Sequence, residues 1–234
     1  MKKSNLAVLI VFLILIPLTL FLGGKLPGKG YYLTAALIIA ELLIPFFLAF
    51  ERRKPQAREL VVLAVLCAIA VIGRVAIPLP NFKAAFAVII LSGIAFGPEA
   101  GFIVGAVTAF ASNFFYGQDV YMPWQMMAYG AGGMLAGFVF LKNKLPRKPW
   151  IMALFGFFAV VLWIGPLLDS SHVFLIMPDR SFASVTAALA SGFPVNVSQG
   201  VSTALILLLF GKPLLEKLDR IKLNYGMMEQ EDGV

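Results

Sequence analysis

Asn113, Tyr116, Gln118, Asp119, Tyr121, Trp124, Gln125 and Tyr129 fall in one stretch, SNFFYGQDVYMPWQMMAYGAGGMLAG from Ser112 to Gly137, between two glycine-rich apolar segments. Most of these side chains put a hydrogen-bonding tip on a flat or partly apolar body, which is equipment for holding a ligand rather than for breaking bonds. Membrane interfaces also collect Trp and Tyr, which accounts for any single aromatic here. It does not account for Asn113 and Gln125, because amides at a membrane edge need polar partners. Pro123 predicts a helix entering at Trp124, with its positive N-terminal end aimed into the same mouth.

Bond-breaking chemistry finds little support. The sole histidine, His172, follows Asp169 by three residues in the segment DSSHVFLIMPDR, which reads as an exterior loop; with no second histidine, a dedicated metal site is not expected. Ser191 lies in an apolar segment whose neighbours offer no histidine base, so a hydrolytic triad is not expected either. GGKLPGKG, Gly23 to Gly30, approaches a phosphate-binding loop, but Gly30 stands where the magnesium-holding hydroxyl belongs. The chain is therefore expected to hydrolyse no ATP itself and to carry no intrinsic cofactor. Asn81 and Asn196 are further candidate ligand contacts, Asn196 because Pro194 predicts an unwound segment lining a cavity. Arg74, near the end of an apolar run, either snorkels to the interface or caps a cavity and meets an anionic substrate group. Glu41, mid-run, is either a neutral carboxyl against a partner helix or a functional group.

The elements that must position these residues are membrane helices. Of the 234 residues 60% are hydrophobic and 13% charged, well above the apolar share of about 45–50% in soluble domains. The formal charge of +7 sits in short clusters between apolar runs, so nucleic acid is not an expected partner. Eight runs approach spanning length: Leu6–Leu22, Tyr31–Phe50, Leu60–Ile77, Phe82–Phe96, Gly101–Tyr116, Trp124–Leu141, Trp150–Leu168 and Val185–Phe210. The first is read as an uncleaved anchor rather than a signal peptide. With the N-terminus inside, every Lys and Arg except Lys25, Lys29, Arg74, Lys83 and Arg180 falls on the inner side, so both termini are expected to be cytoplasmic. The linker ERRKPQAREL splits the chain into a two-helix membrane preface with its basic linker (1–58), a six-helix body (59–212) and a polar cytoplasmic tail (213–234). Small residues recur every fourth position at Ala64 and Ala68, at Gly101, Gly105 and Ala109, and at Gly133 and Gly137. The glycines are expected to pack internally, while Ala64 and Ala68 are candidates for a partner protein. Cys67, the single cysteine, is read as lipid-facing or as core.

Four features give the body a family likeness: the REL start at Arg58 followed by Ala64 and Ala68, the turn PLPNFK, FGPEAGFIVGA from Phe96 to Ala106, and SNFFYGQ with PWQMMAYG. Together they resemble the substrate-binding S component of energy-coupling factor (ECF) type vitamin transporters, from about Glu59 to Phe210. The resemblance implies an all-α integral membrane protein, a six-helix bundle here preceded by two extra transmembrane helices in a bacterial cell membrane. It implies a vitamin held near the outer face by the last three helices and the first, third and fifth body loops. It also implies a membrane T component, docked on Ala64 and Ala68, and two cytoplasmic ATPase subunits, with the S component toppling in the bilayer. The expected pocket is Arg74, Asn81, Asn113, Tyr116, Trp124, Gln125, Tyr129, His172 and Asn196. Cobalamin or a related corrinoid is the preferred ligand, on likeness to longer members and on the roomy loop from Asp169 to Ala183, with His172 approaching cobalt. Riboflavin, pantothenate and a queuosine-like precursor are the alternatives within the class. A membrane enzyme for lipid substrates would need paired acids or a metal cluster, and an assembly scaffold would bind no small molecule.

Overall fold

The computed structural model describes residues 57–224, apart from 78, 119–120, 141–143 and 176–180, together with single positions between 14 and 41. The preface and the basic linker lie for the most part outside the described residues. Among the described positions there, the Thr19 hydroxyl donates to the Glu41 carboxylate, giving that mid-run acid a polar partner.

The described body is helical. α1 (Ala57–Val75) buries Glu59, Leu63, Leu66, Cys67 and Ala70, a spacing that keeps one stripe inward. Cys67 is thus a core residue. Its opposite face leaves Val61, Ala64, Val65, Ala68, Ile69 and Ile72 exposed. α2 (Ala85–Phe96) is short, and every residue in it is buried, as a helix apolar on all sides requires. Gly97, at φ 95°, ends α2 and leads directly into α3 (Pro98–Tyr116) with Pro98 in its first turn.

α4 (Met122–Phe140) starts two residues earlier than Pro123 implied, so the proline sits inside the first turn, where its missing N–H costs no ladder bond. Three helices then meet backbone to backbone. A Cβ on Gly101 or Gly133 would overlap the main chain of the opposing helix, one on Gly93 would overlap Gly133, one on Gly105 would overlap Tyr129, and one on Gly137 would overlap Pro98. The glycine stripes are internal packing, as expected.

α5 (Pro149–Ala159), a π-helical turn (Val160–Ile164) and α6 (Gly165–Leu175) run on as one rod. This corrects the seventh run, which was ended at Leu168: Asp169 and His172 lie on a helix, not in a loop. The polar trio Asp169, Ser170 and Ser171 does not stop it because both serine hydroxyls turn back onto carbonyls three residues earlier, at 2.7 and 2.6 Å. α7 (Phe182–Asn224) continues through Pro194 and Pro213 for 43 residues. The unwinding expected at Pro194 is absent, and Asn196 is a helical residue.

At about 65 Å, α7 is roughly twice the thickness of a bilayer core. Its last turns cross the boundary drawn after Lys212 and pack back on the body. Leu215 is buried, Arg147 pairs with Asp219 at 3.2 Å, and Arg147 and Lys222 donate to Ile94 and Ala95 carbonyls at the C-terminal end of α2. Pro149–Val173 and Phe182–Asn224 are long and apolar enough to cross a membrane. Large apolar side chains such as Leu162, Trp163, Leu209 and Phe210 face outward, as lipid contact allows.

Candidate functional site

One end of the bundle gathers the end of α1, the α1–α2 loop, the end of α3, the start of α4, the end of α6 and the upper turns of α7. The site is built there around Arg74. Its Nη1 donates to Asn113 Oδ1 at 2.9 Å and to the Ser112 hydroxyl, while its guanidinium lies 5.0 Å from the Tyr116 ring centre and 5.3 Å from that of Tyr129. The Tyr116 hydroxyl returns a bond to the Arg74 carbonyl at 2.9 Å. Asn113 passes the chain on, its Nδ2 donating to Gln125 Oε1 at 2.7 Å. Burial of Asn113 makes that pairing obligatory. Of the two readings of Arg74, snorkelling outward fails: the side chain turns inward.

Three adjoining cavities surround this network. One of about 320 Å³ lies between Arg74, Asn81, Lys83, Phe86, Tyr116, Tyr129 and Gln199. A second, about 270 Å³, is bounded by Arg74, Asn113, Tyr116, Gln118, Tyr121 and Gln125. The third, about 390 Å³, lies across Gln125 and Tyr121 against Asp169, Ser171, His172, Ser191 and Gly192. Arg74 and Tyr116 border the first two; Tyr121 and Gln125 border the last two. The first and third are of ligand-pocket size, and the second falls just below it. Tyr129 forms an apolar floor with Phe86, edge to face at 4.7 Å.

The sequence-chosen residues therefore divide. Arg74, Asn113, Tyr116, Gln125 and Tyr129 form one network, with Asn81 on the neighbouring wall in a left-handed turn at φ 58°. His172 lines the opposite wall. Trp124 and Asn196 are not among the lining residues of these three cavities. Trp124 Nε1 donates to the Leu167 carbonyl at 2.5 Å, fastening α4 to α6. Asn196 Nδ2 donates to Asp169 Oδ2 at 2.7 Å, fastening α6 to α7. Ala64 and Ala68 are remote from the site, on the exposed face of α1.

Sequence reasoning passed over Lys83, Phe86, Gln199 and the wall role of Asp169. Lys83 had been counted only as an outside charge, yet Ser202 on α7 clasps its backbone, accepting from Lys83 N at 3.3 Å and donating to Lys83 O at 3.1 Å. Nothing in the PLPNFK segment itself signals this contact, which is made by a residue 119 positions further on. Among the described residues no group of three or more His, Cys, Asp or Glu side chains converges to hold a metal. The arrangement is a polar and aromatic receptacle that can orient a flat molecule by hydrogen bonds.

Residues 54–216 match the family described as ECF-type riboflavin transporter, S component. A UPF0397 protein of Vibrio atlanticus is 31% identical over 146 residues, covering 58% of this chain and 80% of the relative. No solved structure matches.

Proposed function

The chain belongs to the ECF-type S component family, and from that premise we propose that its three adjoining cavities bind a flat vitamin of about flavin size at the outer face of the membrane. It is the substrate-binding component of a membrane transporter, not an enzyme. The observation that carries the substrate reading is the Arg74–Asn113–Gln125 network, which presents amide and guanidinium edges beside the aromatic surfaces of Tyr116, Tyr129 and Phe86. Such a surface suits a heteroaromatic ring, stacked on its faces and read at its edges.

Cobalamin loses one of its two supports. The exterior loop from Asp169 is shorter than expected because its first seven residues are helical. A corrinoid remains the second reading, favoured by His172 on the wall of the largest of the three cavities and requiring those cavities to act as one. In either case the vitamin is taken from outside and delivered by toppling against a T component that docks on the exposed Ala64 and Ala68 face, with two ATPase subunits supplying the energy and both termini in the cytoplasm.

The test is direct. The purified chain in detergent is titrated with riboflavin, read by flavin fluorescence, and with cobalamin, read by absorbance. Saturable one-to-one riboflavin binding, weakened about tenfold or more in Asn113→Ala, is expected. Cobalamin binding alone moves the reading to the corrinoid; binding of neither removes it.

A further inference from the structure

Two cations border the cavity between α1, the α1–α2 loop, α4 and α7, and neither has an acidic partner among the described residues. Arg74 is held by Ser112, Asn113 and two ring faces, and Lys83 Nζ donates to the Ile77 carbonyl at 3.1 Å. All of these are neutral. No Asp or Glu lines this cavity. The opposite end of the bundle shows the contrast, since there the half-buried Arg147 has Asp219 at 3.2 Å.

The hydrogen bonds that Arg74 and Lys83 donate go to neutral acceptors and leave both charges uncompensated. Two like charges facing one half-enclosed space repel each other, and polar or charged groups inside membrane proteins normally find partners or face a functional cavity. Both are also fixed in place, Arg74 by its network and Lys83 by the Ser202 clasp on its backbone. Preset cations with an empty charge balance are the arrangement that receives an anion.

We propose that Arg74 and Lys83 receive an oxyanion, a phosphate or a carboxylate, in this cavity, so that an anionic flat vitamin such as a phosphorylated flavin binds more tightly than riboflavin, which carries neither group. The flat portion of such a ligand rests on Tyr129 and Phe86. The carboxylate of Asp169, on the wall of the far cavity, repels the same group and so sets which way round the ligand enters. This rests on the reading of the chain as a substrate-binding subunit.

The test uses the full chain in detergent and its thermal unfolding midpoint. Inorganic phosphate and acetate are added in separate arms, each against sodium chloride at equal ionic strength. A rise of about 2–4 °C is expected in at least one arm, and the arm that responds names the anion class. Lys83→Gln is expected to abolish the rise and Lys83→Arg to keep it. No rise in either arm, or the same rise in Lys83→Gln, overturns the proposal. Riboflavin titrated into the same preparations separates the two readings: binding without any anion effect sinks the oxyanion site alone. An anion effect without riboflavin binding sinks the riboflavin assignment and leaves the oxyanion site standing.

Discussion

Glycine does two different jobs at two helix contacts in this molecule. Where α3 meets α4, Gly101 and Gly133 put main chain against main chain, and nothing larger than hydrogen fits between. Where α6 meets α7, the space over Gly165 holds the Asn196 side chain and the space over Gly192 holds that of Asp169. The first contact is dry and can only be tight. The second seats an interhelical Asp169–Asn196 hydrogen bond beside the largest of the three cavities, with Gly192 and Asp169 both on its wall. Spacing of small residues thus says that helices come close; what fills the gap separates a fixed scaffold from a wall that can take part in binding.

The sharpest way to break this contrast is to enlarge a glycine on the dry side. Gly133→Leu is expected to cost about 3 kcal/mol or more, because the opposing atoms are backbone and have nowhere to move. Loss of the folded monomer on size exclusion in detergent is the readout; a normal midpoint would show that α3 and α4 can separate cheaply.

On the polar side, Asn196→Ala is expected to cost about 1–3 kcal/mol by leaving the Asp169 carboxylate short of a donor. Asp169→Asn, which keeps the shape and a hydrogen bond, is expected to lose less. Thermal midpoints rank the pair, and equal losses would mean that packing over Gly165 and Gly192, not the bond, is what matters. Ligand affinity is expected to fall in Asn196→Ala, since Asp169 belongs to the cavity wall.

The smallest effect on the isolated chain is expected from Ala64→Leu and Ala68→Leu, within about 0.5 kcal/mol, because both face outward from α1. Ligand binding by the purified variants should match that of the parent, whereas uptake by cells supplying the partner subunits should be lost. Full uptake in both variants would discredit this docking face.

Much of the bundle could be read along the chain. The apolar runs located all six body rods, the short α2 included, and the four-residue glycine spacing placed Gly101, Gly105, Gly133 and Gly137 in internal contacts. The misreadings came from local rules overruled by packing. Pro194 was taken as a break, yet α7 is held on both sides of it, with Ala188 and Asn196 buried on the α6 side. Asp169 to His172 looked like loop because polar residues cluster there; side-chain bonds back onto the helix and the Asn196 partner make helix the cheaper state. Lys83 was invisible as a site residue, because nothing near it in sequence reveals that Ser202 fastens it beside Arg74.

The sequence by itself determined that this is a membrane-embedded helical protein with a polar, aromatic stretch between two glycine-rich segments. Those properties follow from composition and local spacing, which survive any arrangement of the helices. Only the tertiary structure decided that Arg74, Asn113 and Gln125 form one chain, that Trp124 and Asn196 brace walls, and that Arg74 and Lys83 share a cavity without an acid. The hydrogen bonds among them join residues 12 to 43 positions apart, and their geometry is set by how closely glycine lets the helices approach.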